Sequence, residues 1–293
     1  QVAVNCSGGG QVEAVWAGSV TLDATIGIGA GTFLSLSGQD DTATVVGAAT
    51  GSRLFSVSAG GGLQITALTL RGGKDTEGGA IRSSGAVTLE DCVLDGNEAT
   101  SGDGGGVWAD GGSVIIVGGK FSGNVASKRG GAVRIVNATL DVSDGAVFEK
   151  NKAEEGGAIF GLGAPENTAS EGSDKTITLA NSIFESNNAS TEVPVTDTIA
   201  PPWDWLEGGG ALALSQAVVE IRGCTFDLNY AQLSGGAIYA GESSQPVLLD
   251  DCTFRNNTTP GFGGAMCAAS AVLTGGTQME SNHAALDGGA VSW

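Results

Sequence analysis

Acids are the most plentiful chemical groups in this chain: 32 Asp and Glu stand against 13 Lys and Arg, with a single His and five Cys. Cleaving a glycosidic bond needs two carboxylates that converge on it, and proton abstraction needs a base within hydrogen-bond reach. The adjacent Asp-Asp pairs, Asp40-Asp41 and Asp250-Asp251, are far apart in the chain. Asp251 precedes Cys252 as Asp91 precedes Cys92, the pattern of a turn residue bonding its own backbone. His283 follows Asn282 where neighbouring repeats carry unrelated residues, so it reads as a surface histidine. Arg82 and Arg134 occupy equivalent outward positions, but two repeats apart. No Cys/His spacing suits zinc, and Gly102-Asp103-Gly104 lacks a repeated oxygen-ligand pattern for calcium. The sequence therefore implies no catalytic residue, metal or cofactor.

Other residues have chemistry of a milder kind. Cys92, Cys224 and Cys252 share one repeat position, elsewhere held by Gly119, Ala146, Ser182 and Thr277, so it is a small inward site. Cys224 and Cys252 stand one repeat apart with parallel side-chain directions, which favours stacked thiols and leaves a disulfide as the alternative. Cys6 and Cys267 have no evident partner within the chain and are candidates for bridges between molecules. Sequons place candidate glycosylation at Asn5, Asn137, Asn188 and Asn256; Asn257 is also a sequon, but Asn256 should be the outward member of that pair. Trp203 and Trp205 lie in a Pro-rich stretch and are candidate contacts for protein or sugar, or fold back onto the chain's own surface.

The elements that position these groups come from a repeat. Gly-Gly, a small residue and a large apolar one recur at Gly78, Gly105, Gly130, Gly156, Gly209, Gly235, Gly263 and Gly288, at intervals of 27, 25, 26, 53, 26, 28 and 25 residues. In the same register runs Phe-x-x-Asn, as Phe121/Asn124, Phe148/Asn151, Phe184/Asn187, Phe226/Asn229 and Phe254/Asn257, with variants Leu94/Asn97 and Met279/Asn282. Between them lie short alternating runs such as Val87-Thr88-Leu89 and Val219-Glu220-Ile221, which means strands with one face buried. No segment keeps a 3.6-residue period. Three short strands per 26-residue unit make one coil of a parallel β-helix, with about ten or eleven coils. The large residue of the first motif, Ile81, Trp108, Val133, Ile159, Leu212, Ile238, Met266 and Val291, forms an inward column. The small residue before it forms an outward strip. Asn97, Asn124, Asn151, Asn187, Asn229, Asn257 and Asn282 form a structural ladder, since an unsatisfied buried amide would cost about 1–3 kcal/mol.

Residues 1–50 are less regular and read as an N-terminal cap with the first coils; residues 51–293 carry the repeats, with insertions near 161–174 and 190–207. The 50 glycines follow no three-residue period and Pro numbers only 6, which excludes collagen. Apolar residues at 41% exclude a disordered chain, and no run of 18 of them exists to span a membrane as a helix. A net charge of −19 argues against nucleic acid and against polyanions held by charge alone. The chain opens at Gln1 with no charged and apolar leader, which reads as a mature form. It stops at Trp293 inside a Gly-Gly-Ala-Val strand, which reads as a fragment or as an end covered by a partner.

The paired Gly-Gly-Ala-Ile and Phe-x-x-Asn motifs over about residues 52–293 resemble those of the chlamydial polymorphic outer membrane proteins and of secreted right-handed β-helices. That resemblance implies an all-β, right-handed parallel β-helix exposed at a cell surface, adhering to surfaces or to itself. The expectation is thus an extracellular, non-enzymatic adhesive or structural protein, a candidate subunit of a surface layer or filament. Its partners would be its own copies, head-to-tail or lateral, or another surface protein, with glycans as further candidates. The alternative is a carbohydrate-active enzyme (a lyase, epimerase or hydrolase) or a glycan-binding module with its site beside the insertions.

Overall fold

The computed structural model describes residues 10–39, 43–47, 51–163, 176–190, 208–241 and 246–293; Asn5, Cys6, Asp40, Asp41, Trp203 and Trp205 lie outside them. A typical coil runs through four strands, Ile81–Ser83, Ala86–Glu90, Val93–Asp95 and Glu98–Ala99, before the next begins at Val107. Each strand pairs in parallel with its counterpart one coil away, as Val87 with Val114 and Leu94 with Phe121. Stacking builds four parallel sheets, three of ten strands and one of eight. We call them the post-glycine, long-strand, phenylalanine and two-residue sheets, in the order a coil visits them.

The architecture is an all-β parallel solenoid of about nine turns, not ten or eleven, because ten strands in a sheet enclose nine repeats. The fourth sheet was not expected. Its strands, such as Glu98–Ala99 and Lys152–Ala153, are two residues long, too short for alternation to show in sequence. The stack begins at Gly10–Trp16, which pairs with Thr32–Gly38. The second motif's aromatic residues fill the interior, with rings of Phe121, Phe148, Phe184, Phe226 and Phe254 stacked at 4.7–4.9 Å between centroids. All five are fully buried. Burying a Phe side chain stabilises by about 1.5–3 kcal/mol.

Two expectations about the first motif are corrected. Ile81 pairs with Val107, not Trp108, so Val107 belongs to the inward column and Trp108 points outward beside Arg82. The run Gly104-Gly105-Gly106 allows either reading in sequence; with its turn at Gly104 (φ 67°) the first three intervals all become 26 residues. The small residue is also not outward: Ala80, Ala132, Ala158, Ala211, Ala237 and Ala265 are fully buried in the core. Alternation breaks there because two successive N–H groups donate to one carbonyl. Ala132 and Val133 both donate to Ala158 O at 2.9 Å, the signature of a bulge that turns two neighbouring side chains inward.

The glycine pair divides its work. Gly156 turns the corner in the left-handed region at φ 60°. Gly157 has ordinary φ but no room: a Cβ there would land on the carbonyl oxygen of Gly210 and 2.6 Å from Asn188 N. Only glycine lets consecutive coils approach this closely at that corner.

Candidate functional site

The outward positions of the post-glycine sheet line up across the coils as Ser56, Arg82, Trp108, Arg134, Phe160, Ala213, Tyr239 and Cys267. An outward column on a solenoid is ordinarily wet. Here Trp108 is 9% exposed, Arg134 5% and Phe160 5%. Cation–aromatic pairs run along the axis here. The Arg82 guanidinium carbon sits 4.7 Å from the centre of the Trp108 ring, and that of Arg134 4.6 Å from Phe160. Arg129, from the turn before the Gly pair, adds a second cation 5.1 Å from Phe160. Desolvated pairs of this kind are worth about 2 kcal/mol.

A row of acids from the same turns runs beside the stack. Arg134 donates through Nε to Asp103 Oδ2 at 3.0 Å and through Nη1 to Ile135 O at 3.1 Å. Arg129 donates through Nε to Glu155 Oε2 at 3.0 Å, and its backbone N–H donates to Asp103 Oδ1 at 3.1 Å. Arg82 lies 4.0 Å from Glu77. Burial weighs on the Arg134 guanidinium and pulls its pKa down, while Asp103 opposes the shift. The face therefore alternates guanidinium donors with carboxylate acceptors, and the three cations balance three acids in a chain of net charge −19. It was missed in sequence because Trp108, which stands between Arg82 and Arg134 in the column, was assigned to the interior; the uniform 26-residue spacing was the signal that places it outside. Both insertions attach at this sheet, one after Gly163 and one just before Gly208.

At the corner between the phenylalanine and two-residue sheets the seven asparagines stand in one line. Asn151 Oδ1 accepts from the backbone N–H and the Nδ2 of Asn124, each at 3.0 Å. Its own Nδ2 donates to Asn187 Oδ1 at 3.0 Å and to Phe121 O at 2.9 Å. The pattern continues from Asn97 through Asn229 and Asn257 to Asn282. Sequence separations of 36 and 42 residues across the two insertions leave its spacing unchanged.

Two stretches, residues 145–162 and 223–241, match the Chlamydia polymorphic membrane protein repeat. Each runs from the Phe-x-x-Asn ladder to the end of a post-glycine strand: Phe148, Asn151 and Gly156-Gly157-Ala158-Ile159 in the first, Phe226, Asn229 and Gly235-Gly236-Ala237-Ile238 in the second. The repeat is of the polymorphic membrane protein type. No curated protein and no solved structure matches the chain.

The polymorphic membrane protein repeat implies a surface-exposed β-helix protein. Phe160, the aromatic end of the stack, lies inside the first matched repeat, immediately after its Gly-Gly-Ala-Ile. Within the repeat frame Cys92, Cys224 and Cys252 are buried free thiols, and Cys267 is half-buried in the outward column with Tyr239. Burial pushes the Cys92 thiol up to about 11 and that of Cys224 up to about 12. Asn137 and Asn256 are exposed at left-handed corners, Asn188 is half-buried on the two-residue sheet, and Asn257 is fully buried in the ladder. Asp250 and Asp251 keep to the turn beside Gly275 and Gly276, and His283 ends the two-residue sheet, so these three residues lie at different corners of the coil. No helix among the described residues is long and apolar enough to cross a membrane.

Proposed function

We propose that this protein is an extracellular, non-enzymatic β-helix that acts as an adhesive or structural rod and makes contact through its post-glycine sheet. One observation carries the reading: Arg82 packs on Trp108 and Arg134 on Phe160 at four successive outward positions of one sheet, the one place where described cations and aromatics combine on the acidic surface. Aromatic residues and arginine are the side chains enriched at the energetic centres of interfaces. The same observation favours, as a second reading, a glycan-binding module over a glycan-cleaving enzyme, because its acids are spent on arginines. Beads coated with the full chain should be retained on cell or matrix surfaces without altering soluble polysaccharides. Release of new reducing ends or unsaturated uronates from a polysaccharide panel would refute the non-enzymatic reading.

A further inference from the structure

We propose that Asn256 carries an N-linked glycan whose first sugar lies over Leu228 and Tyr230 on the preceding coil. The inference rests on the extracellular reading and concerns a corner of the coil apart from the post-glycine sheet.

Asn256-Asn257-Thr258 and Asn257-Thr258-Thr259 are overlapping acceptor sequences, and the fold chooses between them. Both Nδ2 hydrogens of Asn257 are spent, on Phe226 O at 2.9 Å and on Asn282 Oδ1 at 2.8 Å, and the residue is fully buried. A sugar on that nitrogen would replace one of those hydrogens and force a bulky group into the ladder. Asn256 stands exposed at the corner between the phenylalanine and two-residue sheets, and its Nδ2 donates to Asp227 Oδ1 at 3.0 Å. An amide nitrogen that bears a sugar keeps one hydrogen, so this bond survives the modification.

The same bond sets a direction. Asp227 belongs to the preceding coil, so the Asn256 side chain reaches back over it. There Leu228 holds the equivalent corner, its N–H donating to Arg255 O at 3.1 Å, and Tyr230 pairs with Thr258, the hydroxyl residue of the acceptor sequence. The corner is left-handed, and other coils place Gly123, Lys150, Ser186 and Ser281 in it. Leu228 adopts it at φ 57°, a strained conformation for a bulky side chain, and is 52% exposed, with Tyr230 36% exposed beside it. Nothing described within the chain covers this pair. A sugar has apolar C–H faces as well as hydroxyls, and one attached at Asn256 Nδ2 begins next to both residues.

The donor is an oligosaccharide linked to a lipid pyrophosphate. The bond from Asn256 Nδ2 to sugar C1 forms as the C1–O bond to pyrophosphate breaks. The oxygen keeps the electron pair, and the lipid pyrophosphate leaves with the amide proton; nothing is oxidised or reduced.

Peptide mass mapping of the full chain, secreted from eukaryotic cells, should find the glycan on Asn256 and none on Asn257. Asn256→Gln should remove it and lower the melting temperature by about 2–4 °C. In a Leu228→Ser background, which suits the corner as Ser186 does, the same substitution should cost under about 1 °C. If Leu228→Ser folds poorly, NMR contacts between sugar protons and the Tyr230 ring read the packing in the unsubstituted protein. A bare Asn256 in the secreted, folded chain, a glycan on Asn257, equal losses in the two backgrounds, or no sugar–Tyr230 contact would each overturn the proposal. A secreted chain that is bare at Asn256 but still retained on surfaces overturns the glycan and leaves the contact face standing; a chain that is not secreted overturns the extracellular reading and the glycan together.

Discussion

Replacing Asn151 by Ala removes a side-chain amide whose hydrogen-bonding capacity is fully used: Oδ1 accepts twice and Nδ2 donates twice. The substitution leaves the backbone N–H of Asn124 without an acceptor in a fully buried position, and Asn124 Nδ2 keeps only its bond to Leu94 O. Phe121 O and Asn187 Oδ1 each lose a donor. An orphaned buried donor costs about 1–3 kcal/mol, and with the weaker loss at the two acceptors the sum is about 3–5 kcal/mol. Asn282 makes the informative comparison. It accepts from Asn257 and donates to Phe254 O, but it is partly exposed, so water replaces what Ala removes and the cost falls to about 1 kcal/mol. Urea unfolding followed by circular dichroism, with both variants compared with the parent at one pH, reads the difference. Because coils of a solenoid unfold as coupled neighbours, the shift of the main transition is the quantity to compare. Equal shifts for Asn151→Ala and Asn282→Ala, or a shift for Asn151→Ala below about 1 kcal/mol, would show that the ladder is incidental to stability.

Gly157→Ala should cost about 3 kcal/mol or more, since its Cβ meets the Gly210 carbonyl and Asn188 backbone, whereas Gly123→Asn should cost under about 1 kcal/mol. Gly123 (φ 60°) has open space around it, and equivalent corners already hold Lys150, Ser186, Leu228 and Asn256 at φ 53–57°, so thermal melts of the two variants should separate clearly. Burial raises the Cys92 and Cys224 thiols from about 9 to about 11 and 12, so the unfolded chain ionises first. Their stabilising effect is complete below pH 9 and is lost as pH rises toward 11–12; a Cys92→Ala, Cys224→Ala protein should show a shallower loss of stability over that range in denaturation curves.

The solenoid was legible because its repeat is written in residues with few physical substitutes. Phe148 and Asn151 hold the same relation as Phe226 and Asn229, and the space at Gly157 admits no side chain. What was misread lies where that logic goes silent. Three successive glycines at Gly104–Gly106 give no hint of which one turns the corner, and the choice decided whether Trp108 faced in or out. The buried Ala80 column broke simple alternation because a shared carbonyl turns two adjacent side chains the same way, a backbone feature with no composition of its own. The two-residue strands escaped for want of length. The candidate face was hidden by the first of these errors: Arg82 and Arg134 read as equivalent positions, but the aromatic residue between them in the column reads as core.

The central claim, that the post-glycine sheet is the contact face, is tested most directly by two charge reversals of equal size. Arg82→Glu alters the outward stack, while Arg71→Glu makes the same change of charge on the phenylalanine sheet, at an exposed ion pair with Asp95 worth about 0–1 kcal/mol. Retention of protein-coated beads on cell or matrix surfaces should fall about ten-fold or more for Arg82→Glu and stay near the parent value for Arg71→Glu. Equal retention of the two variants, or a larger loss for Arg71→Glu, would contradict the account.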